Sequence, residues 1–275
     1  MKIKFTKAHG AKNDFLLTWL QEAPEDDLAA LARAICDRHT GIGADGWLLV
    51  KGPVDGEVEG EITLYNSDGS LAEISGNGTR CAAAFLIRHG YATGLVRIRT
   101  GAGIKALRLL KRRELWFEFE MEMGRPEVIA ENFALSLEQA VGQAILSTAN
   151  VIDCTLLNVG NPQCAVPVKN FDFNWRPLGA AIESHPHFPN RTNVSFITPV
   201  GPHEIEVRFY ERGAGETLSS GTGATGAAVA AVLRGMATSP VQVLTPAGPI
   251  VLRLEGGYAF LTGPAEIVAE GEFFM

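Results

Sequence analysis

The sequence predicts an α/β (α+β) protein of two pseudo-symmetric domains, each an antiparallel sheet wrapped around a central helix. Three observations carry this. First, one loop is written twice. Tyr65-Asn-Ser-Asp-Gly-Ser-Leu-Ala-Glu-Ile-Ser75-Gly-Asn-Gly78 returns as Tyr210-Glu-Arg-Gly-Ala-Gly-Glu-Thr-Leu-Ser-Ser220-Gly-Thr-Gly223, with tyrosine, serine and both glycines matched at one offset. Two distant loops related in this way point to duplicated halves, with Ser75 and Ser220 as symmetry mates and the site between the halves. Second, each loop runs into a segment that is apolar on nearly every face, Cys81 to Ile87 and Gly226 to Leu233. A helix without a polar stripe must be surrounded. Third, most of the other periodic stretches alternate as strands do.

Along the chain, Ile3 to Lys7 reads as a strand, a turn follows at His9 to Asp14, and the strand resumes through Phe15-Leu16-Leu17. Asp26 to Arg38 has Leu28, Leu31 and Ile35 at helical spacing and is predicted to be an amphipathic helix. Trp47 to Val50, Glu61 to Tyr65, Val96 to Arg99 and Leu115 to Phe119 are further strands of the first half. Thr155 to Val159, Thr192 to Ile197 and Glu204 to Phe209 echo them in the second, and the halves abut near residues 120–130.

Composition bounds the function. The 275 residues suffice for two domains of ordinary size. Apolar content is 46% without a run long enough to span a bilayer. The start, Met1-Lys-Ile-Lys-Phe-Thr-Lys-Ala-His9, lacks the apolar core of a secretion signal, so the expected compartment is the cytoplasm. Cys36, Cys81, Cys154 and Cys164 show no close pairing, which indicates neither a disulfide framework nor a zinc site. A net charge of −7 disfavours nucleic acid and anionic membranes as partners. The short basic run Lys111-Arg112-Arg113 fits a solvated hairpin end.

The paired loops carry the chemistry. A helix N-terminus offers unpaired N–H groups and partial positive charge, and flanking glycines let a ligand approach the backbone. Ser75-Gly76-Asn77-Gly78 and Ser220-Gly221-Thr222-Gly223 therefore read as two anion cradles. Opposed, they would stabilise charge developing on a carboxylate whose α-carbon loses a proton. Taken singly, each serine also reads as a plain N-cap.

His9-Gly-x-x-Asn13-Asp-Phe, Gly41-Ile-Gly-Ala-Asp45, Tyr65-Asn-Ser-Asp-Gly, Ser75-Gly-Asn-Gly-Thr-Arg-Cys81, Asn158-Val-Gly-Asn-Pro162, Arg191-Thr-Asn193-Val and Glu211-Arg-Gly-Ala-Gly-Glu-Thr217 resemble diaminopimelate epimerase over nearly the whole chain. The resemblance implies that family's fold, with residues 1–122 as the N-terminal half, 123–264 as the C-terminal half and 265–275 returning to the first. It implies a homodimer and a cofactor-independent epimerase that converts LL- to meso-diaminopimelate in lysine synthesis, using one cysteine on each face of the substrate. By the same resemblance Asn66, Asn161, Asn193, Glu211 and Arg212 hold the distal amino acid head. Asn13 lies along the cleft, and Gly76-Asn77 with Gly221-Thr222 bind the reacting carboxylate.

The departures from the family pattern are specific. Both cysteine positions are serine, Ser75 and Ser220; the histidine after Asn-Pro is Gln163; the glutamine after Ala44-Asp45 is Gly46; and Thr225 stands where many members carry another cysteine. A serine needs an adjacent base where a cysteine is already partly thiolate, and residue 163 supplies none. Cys81 is predicted to point away from its loop. Cys164 is a core residue or a weak stand-in, and His9 and His39 are structural residues or alternative bases. Three readings follow: an epimerase of this family with impaired chemistry, a diverged isomerase or lyase, or an amino acid binder without turnover. Gly41-Ile-Gly43-Ala-Asp-Gly46 matches a dinucleotide fingerprint, but a strand follows it where a helix is required. His185-Pro-His187 lacks companion ligands for a metal.

Overall fold

A computed structural model describes residues 2–53, 56–137 and 151–274. Its contacts divide the chain into two units, Met1–Glu122 with Thr262–Met275, and Met123–Leu261.

In the first unit, β1 (Lys2–Gly10) and β2 (Asn13–Trp19) pair antiparallel around Ala11 and Lys12. Both turn residues have positive φ, 49° and 62°, the geometry that matches the twist of paired strands. Helix α1 (Leu28–Cys36) is shorter than the predicted Asp26 to Arg38 at each end. Asp27 caps it, accepting from the N–H groups of Ala29 and Ala30. Asp37 ends it by taking the N–H groups of His39 and Thr40 into a turn. The chain continues through β3 (Gly46–Lys51), β4 (Gly60–Asn66), β5 (Leu71–Ala72), α2 (Gly76–Arg88), β6 (Leu95–Thr100), β7 (Gly103–Arg113) and β8 (Trp116–Gly124). Lys111 and Arg112 do sit at a hairpin end, on Glu118 and against the Phe117 ring.

The second unit repeats this order after β9 (Glu127–Ser136): β10 (Val151–Asn158), β11 (Pro162–Pro167), α3 (Arg176–Glu183), β12 (Asn193–Gly201), β13 (Glu204–Glu211), β14 (Gly215–Thr217), α4 (Gly221–Leu233), β15 (Val241–Thr245) and β16 (Gly248–Glu255). Then β17 (Tyr258–Phe274) runs on into residues that group with the first unit.

Among the described residues the expected antiparallel sheet carries four parallel pairs, and each follows from a helical crossover. In the first unit α1 carries β2 to its parallel partner β3, and α2 carries β4 to β6. In the second, α3 carries β11 to β12 and α4 carries β13 to β15. The duplication legible in the loops is thus a duplication of topology.

Each central helix is enclosed within its own unit. Every residue of α2 from Asn77 to Ile87 is buried, and α2 packs on β1, β2, β3, β4 and β6. Helix α4 packs on β10, β11, β12, β13, β15 and β16. Its contact face is almost entirely Ala and Gly, so the strands approach closely; Ala224, Ala227, Ala228, Ala230 and Ala231 have no exposed surface. Three glycines and two threonines within α4 are poor helix formers. Packing on all sides, and not propensity, holds this helix.

Phe209 on β13 fills the space beneath the N-terminus of α4 and is 1% exposed. Phe209→Ala is expected to cost about 3–5 kcal/mol through the cavity it leaves. Chemical denaturation should show a lowered midpoint, and a change within error would mean that the loop is held from elsewhere.

Candidate functional site

Ser75 and Ser220 occupy equivalent places. Each precedes its central helix with extended backbone, φ −129° and −139°. Each side-chain oxygen accepts a 3.1 Å hydrogen bond from the third helical N–H, that of Gly78 or Gly223. Glycine is needed there: a Cβ at Gly223 would lie 2.9 Å from the Ser220 oxygen. The first two N–H groups of each helix, on Gly76-Asn77 and on Gly221-Thr222, precede any intrahelical bond. Both loops therefore combine a capped turn with two outward N–H donors at the positive end of a helix dipole.

The caps differ in what touches the hydroxyl. Ser220 Oγ donates to Glu211 Oε2 at 2.8 Å, and Thr217 Oγ1 donates to Glu211 Oε1 at 2.6 Å. Burial pushes the Glu211 carboxyl up from its ordinary value, and the two hydroxyl bonds offset only part of that rise. The β13–β14 hairpin makes the contact by folding Thr217 and the cap back beside Glu211. Glu211 is thus engaged with the cap. Ser75 has no carboxylate partner among the described residues. Asn66, at the same offset from Ser75 as Glu211 from Ser220, donates instead to Ser70 Oγ at 2.9 Å.

The other second-unit residues gather around this cap. Gln163 Nε2 donates to Asn161 Oδ1 at 2.7 Å, and Asn161 Nδ2 to Thr222 Oγ1 at 3.3 Å. Asn193, beside Gln163 in the parallel β11–β12 register, donates to the Pro162 carbonyl and accepts the Arg212 N–H, both at 3.0 Å. The exposed Arg212 guanidinium touches only the Asn190 carbonyl, at 3.3 Å, and has no carboxylate partner among the described residues. In the first unit, Asn77 Nδ2 donates to Asn13 Oδ1 at 3.2 Å and Asn13 Nδ2 to Asp45 Oδ2 at 2.6 Å. Arg38 bridges Asp45 and Asp14, at 2.7 Å to each. Burial would raise the Asp14 carboxyl, but Arg38 and Lys7 outweigh it and hold it below the usual carboxylate range.

The diaminopimelate epimerase family model matches residues 5–129 and 155–268. The chain belongs to the diaminopimelate epimerase family. It is 37% identical to the diaminopimelate epimerase of Pelotomaculum thermopropionicum over 278 residues, covering 98% of each chain. It is also 37% identical to that of Pseudomonas syringae pv. tomato, covering 99% of each. Among solved structures, it shares its fold with a phenazine biosynthesis protein of Bacillus anthracis, at a TM-score of 0.75, 15% identity and full coverage of both chains. A hydroxyproline epimerase of Agrobacterium vitis has a TM-score of 0.69 and 15% identity, over 98% of this chain and 90% of that one.

Against that family pattern, the remaining thiols of this member are core residues. All four cysteines are buried and unpaired. Burial pushes Cys36 and Cys81 up to about 12, and Cys164 is raised by its contact with Cys154 and by burial, the opposite of nucleophile activation. His9 faces Glu266 at 3.6 Å, and His39 lies exposed in the turn after α1; neither bonds either serine among the described residues. His185 and His187 pack against Ser136, Phe133 and Phe188, and no cluster of metal-ligating side chains occurs among the described residues. The Gly46 departure is built in, because a Cβ there would meet the Tyr65 carbonyl at 2.9 Å. Sequence reasoning missed the Glu211–Ser220 bond, its support by Thr217, and the role of Glu183. That buried carboxylate takes Arg191 at 2.6 Å and the Gly213 N–H at 3.0 Å, fixing the Arg212 turn. Arg80, the one buried charged residue of α2, was the readable signal for a further partner.

Because the fold raises the Glu211 carboxyl, the folded state holds that proton more tightly than the unfolded chain. Its contribution to stability is therefore lost as pH rises from the unfolded carboxyl range through the folded one. Glu211→Gln, which cannot ionise, should melt higher than wild type at pH 8 and show little difference near pH 4. A glutamine variant that melts lower at pH 8 would mean that the two hydroxyl bonds outweigh burial.

Proposed function

We propose that this protein binds diaminopimelate or a close diamino diacid, and that its proton chemistry is confined to Ser220 and Glu211. The observation that carries the reading is the second-unit set, in which Asn161 bonds Thr222, Asn193 holds the Arg212 N–H, and Ser220 bonds Glu211, the neighbour of Arg212. Arg212, free of any acidic partner among the described residues, suits a distal carboxylate with bidentate geometry. Asn193 and Asn161 offer amide groups to the same amino acid head. The N–H pairs of Gly221-Thr222 and Gly76-Asn77 suit a carboxylate at a helix start, and Asn13 and Asn66 are the first-unit amides assigned to the substrate.

The step assigned to the pair is simple. As Ser220 Oγ takes the α-proton, Glu211 takes the hydroxyl proton, its raised affinity for a proton favouring the transfer. On return, Ser220 gives a proton back to the same face and recovers one from Glu211, so a deuteron exchanged from solvent in between enters the α-position. Ser75 has no such partner, so proton return from a second face is not supported. The protein is then an epimerase-family isomerase with weak or absent inversion, needing side chains alone and no cofactor. Residence in a reducing cytoplasm fits four unpaired cysteines, and a homodimer is proposed on the family resemblance. The second reading, binding without turnover, is favoured by the loss of both thiols.

Heavy-water NMR on LL- and meso-diaminopimelate separates these readings. Slow α-deuterium incorporation with little interconversion is expected. Turnover near the enzyme median, on the order of 10 per second, would sink the one-sided assignment. Ser75→Cys with Ser220→Cys should restore two-sided exchange, with less from either alone and more when Gln163→His is added. An inert triple variant would mean that missing thiols are not the sole obstacle.

Recognition is tested separately from chemistry. Arg212→Ala should weaken diaminopimelate binding by well over tenfold, since a desolvated charge pair that loses one partner costs roughly 2–5 kcal/mol. Arg212→Lys should rescue poorly, lacking the planar fork. Calorimetry measures both, and equal affinity for lysine would remove the diacid from the proposal.

A further inference from the structure

Arg80 has no exposed surface, although it sits in the first turns of α2, directly behind the Gly76-Asn77 cradle. Its guanidinium donates to the Pro264 carbonyl at 3.1 Å, to the Gly76 carbonyl at 3.4 Å and to Asn77 Oδ1. All three acceptors are neutral, and no carboxylate lies within ion-pair distance among the described residues. Burial lowers its pKa to about 10, so it remains charged at neutral pH. A buried cation without a counter-ion is costly and rare. The fold nevertheless makes room for it: a Cβ at Gly263 would lie 2.9 Å from Arg80 Cζ, and one at Gly10 would lie 3.3 Å from its terminal nitrogen.

A guanidinium can only donate, and an ionised carboxylate can only accept. Between Arg80 and Asp45 stand two amides whose orientation these ends dictate. Arg80 takes Asn77 Oδ1, so Asn77 Nδ2 turns to Asn13 Oδ1, and Asn13 Nδ2 turns to Asp45. Flipping either amide would set N–H against N–H at one end and oxygen against oxygen at the other. Each amide nitrogen keeps a second N–H, so both side chains present donors to a ligand. At the same offset the second loop carries Thr225, which only returns its hydroxyl to the Gly221 carbonyl. The first cradle alone is backed by charge.

We propose that Arg80 is the positioning residue of the first cradle: it fixes which edges of Asn77 and Asn13 face outward, and its unmatched charge is answered by a carboxylate of the ligand. This deepens the proposed function and rests on its assignment of a carboxylate to Gly76-Asn77.

Two probes test it on the full chain, meso-diaminopimelate by calorimetry and acetate by its effect on the melting temperature. Arg80→Gln keeps hydrogen bonding but removes the charge and the donor-only end. It should bind diaminopimelate at least tenfold more weakly and lose the acetate-dependent rise. Arg80→Lys keeps the charge and a donor-only end but loses the fork across three acceptors. It should melt as low as the glutamine variant yet bind within about threefold of wild type. A residue serving structure alone would move affinity and melting together. Asn77→Asp gives the guanidinium an internal counter-ion and should fold at least as stably as wild type, but without the acetate response. It keeps the proposal testable if both Arg80 variants fail to fold. Wild-type affinity in Arg80→Gln, lysine no better than glutamine, or an acetate response surviving in Asn77→Asp would each overturn the proposal. Binding of diaminopimelate with any of those results leaves the proposed function standing and removes only the role of Arg80. An Arg80-dependent acetate response without diaminopimelate binding does the reverse. A wild type that responds to neither probe overturns both.

Discussion

The structure depends on one constraint, the unpaired N–H groups at the start of a helix enclosed by strands. Helices α2 and α4 are covered along their length, so only their first turns can reach a polar partner from outside the packing. Each start solves part of the problem with a serine oxygen on the third N–H, and leaves the first two N–H groups for something else. Glycine at 223 follows, because the cap oxygen and the Phe209 ring each lie 2.9 Å from where a Cβ would be. The apolar, small-residue character of α4 follows too, since β10, β11, β12, β13, β15 and β16 all pack on it. The same enclosure that makes the helices stable aims their dipoles at one place in each unit, the repeated loop.

Duplication then allowed the two loops to diverge in complementary directions. Among the described residues, the first has a buried cation behind its cradle and no acid on its cap; the second has an acid on its cap and no buried cation. These features exclude one another at close range. A guanidinium beside Glu211 would stabilise its charged form and draw its pKa down, removing its affinity for a proton. A carboxylate beside Arg80 would neutralise within the protein the charge that a ligand is proposed to meet. Holding one of each in separate copies of one loop avoids both conflicts, a solution a single loop does not offer.

What was legible in the sequence was whatever recurs locally. The matched offset of Ser75 and Ser220 disclosed the duplication, and the absence of a polar stripe in Cys81 to Ile87 and Gly226 to Leu233 disclosed the two enclosed helices. The parallel pairs were not legible, because they depend on where crossover helices deliver the next strand. Helix α3, eight residues long and opening Arg176-Pro177, gives too short a period to read. The ends of α1 were misjudged because Asp27 and Asp37 look like any helix-flanking acids until their side chains are seen on backbone N–H groups. Site contacts were harder still. Glu211 meets Ser220 only because Gly213 and Gly215, both at positive φ, turn the chain sharply between β13 and β14. Asn13 meets Asn77 across 64 residues, with no local pattern to announce it.

The serines themselves have a physical reason to persist whether or not they do chemistry. A thiol is a weak hydrogen-bond acceptor, while serine is among the preferred caps, worth about 1 kcal/mol over a side chain that cannot accept. Replacing cysteine by serine at both helix starts therefore strengthens the interaction on which each enclosed helix depends, while it removes the easily ionised nucleophile. The two effects act on the same atom. A chain with serine at both positions can therefore keep the fold and match its relatives over nearly their full length. Serine also suits the contact with Glu211, because a hydroxyl donates to a carboxylate at least as well as a thiol does. The bond thus serves the cap of α4 and is the contact to which the proton transfer is proposed.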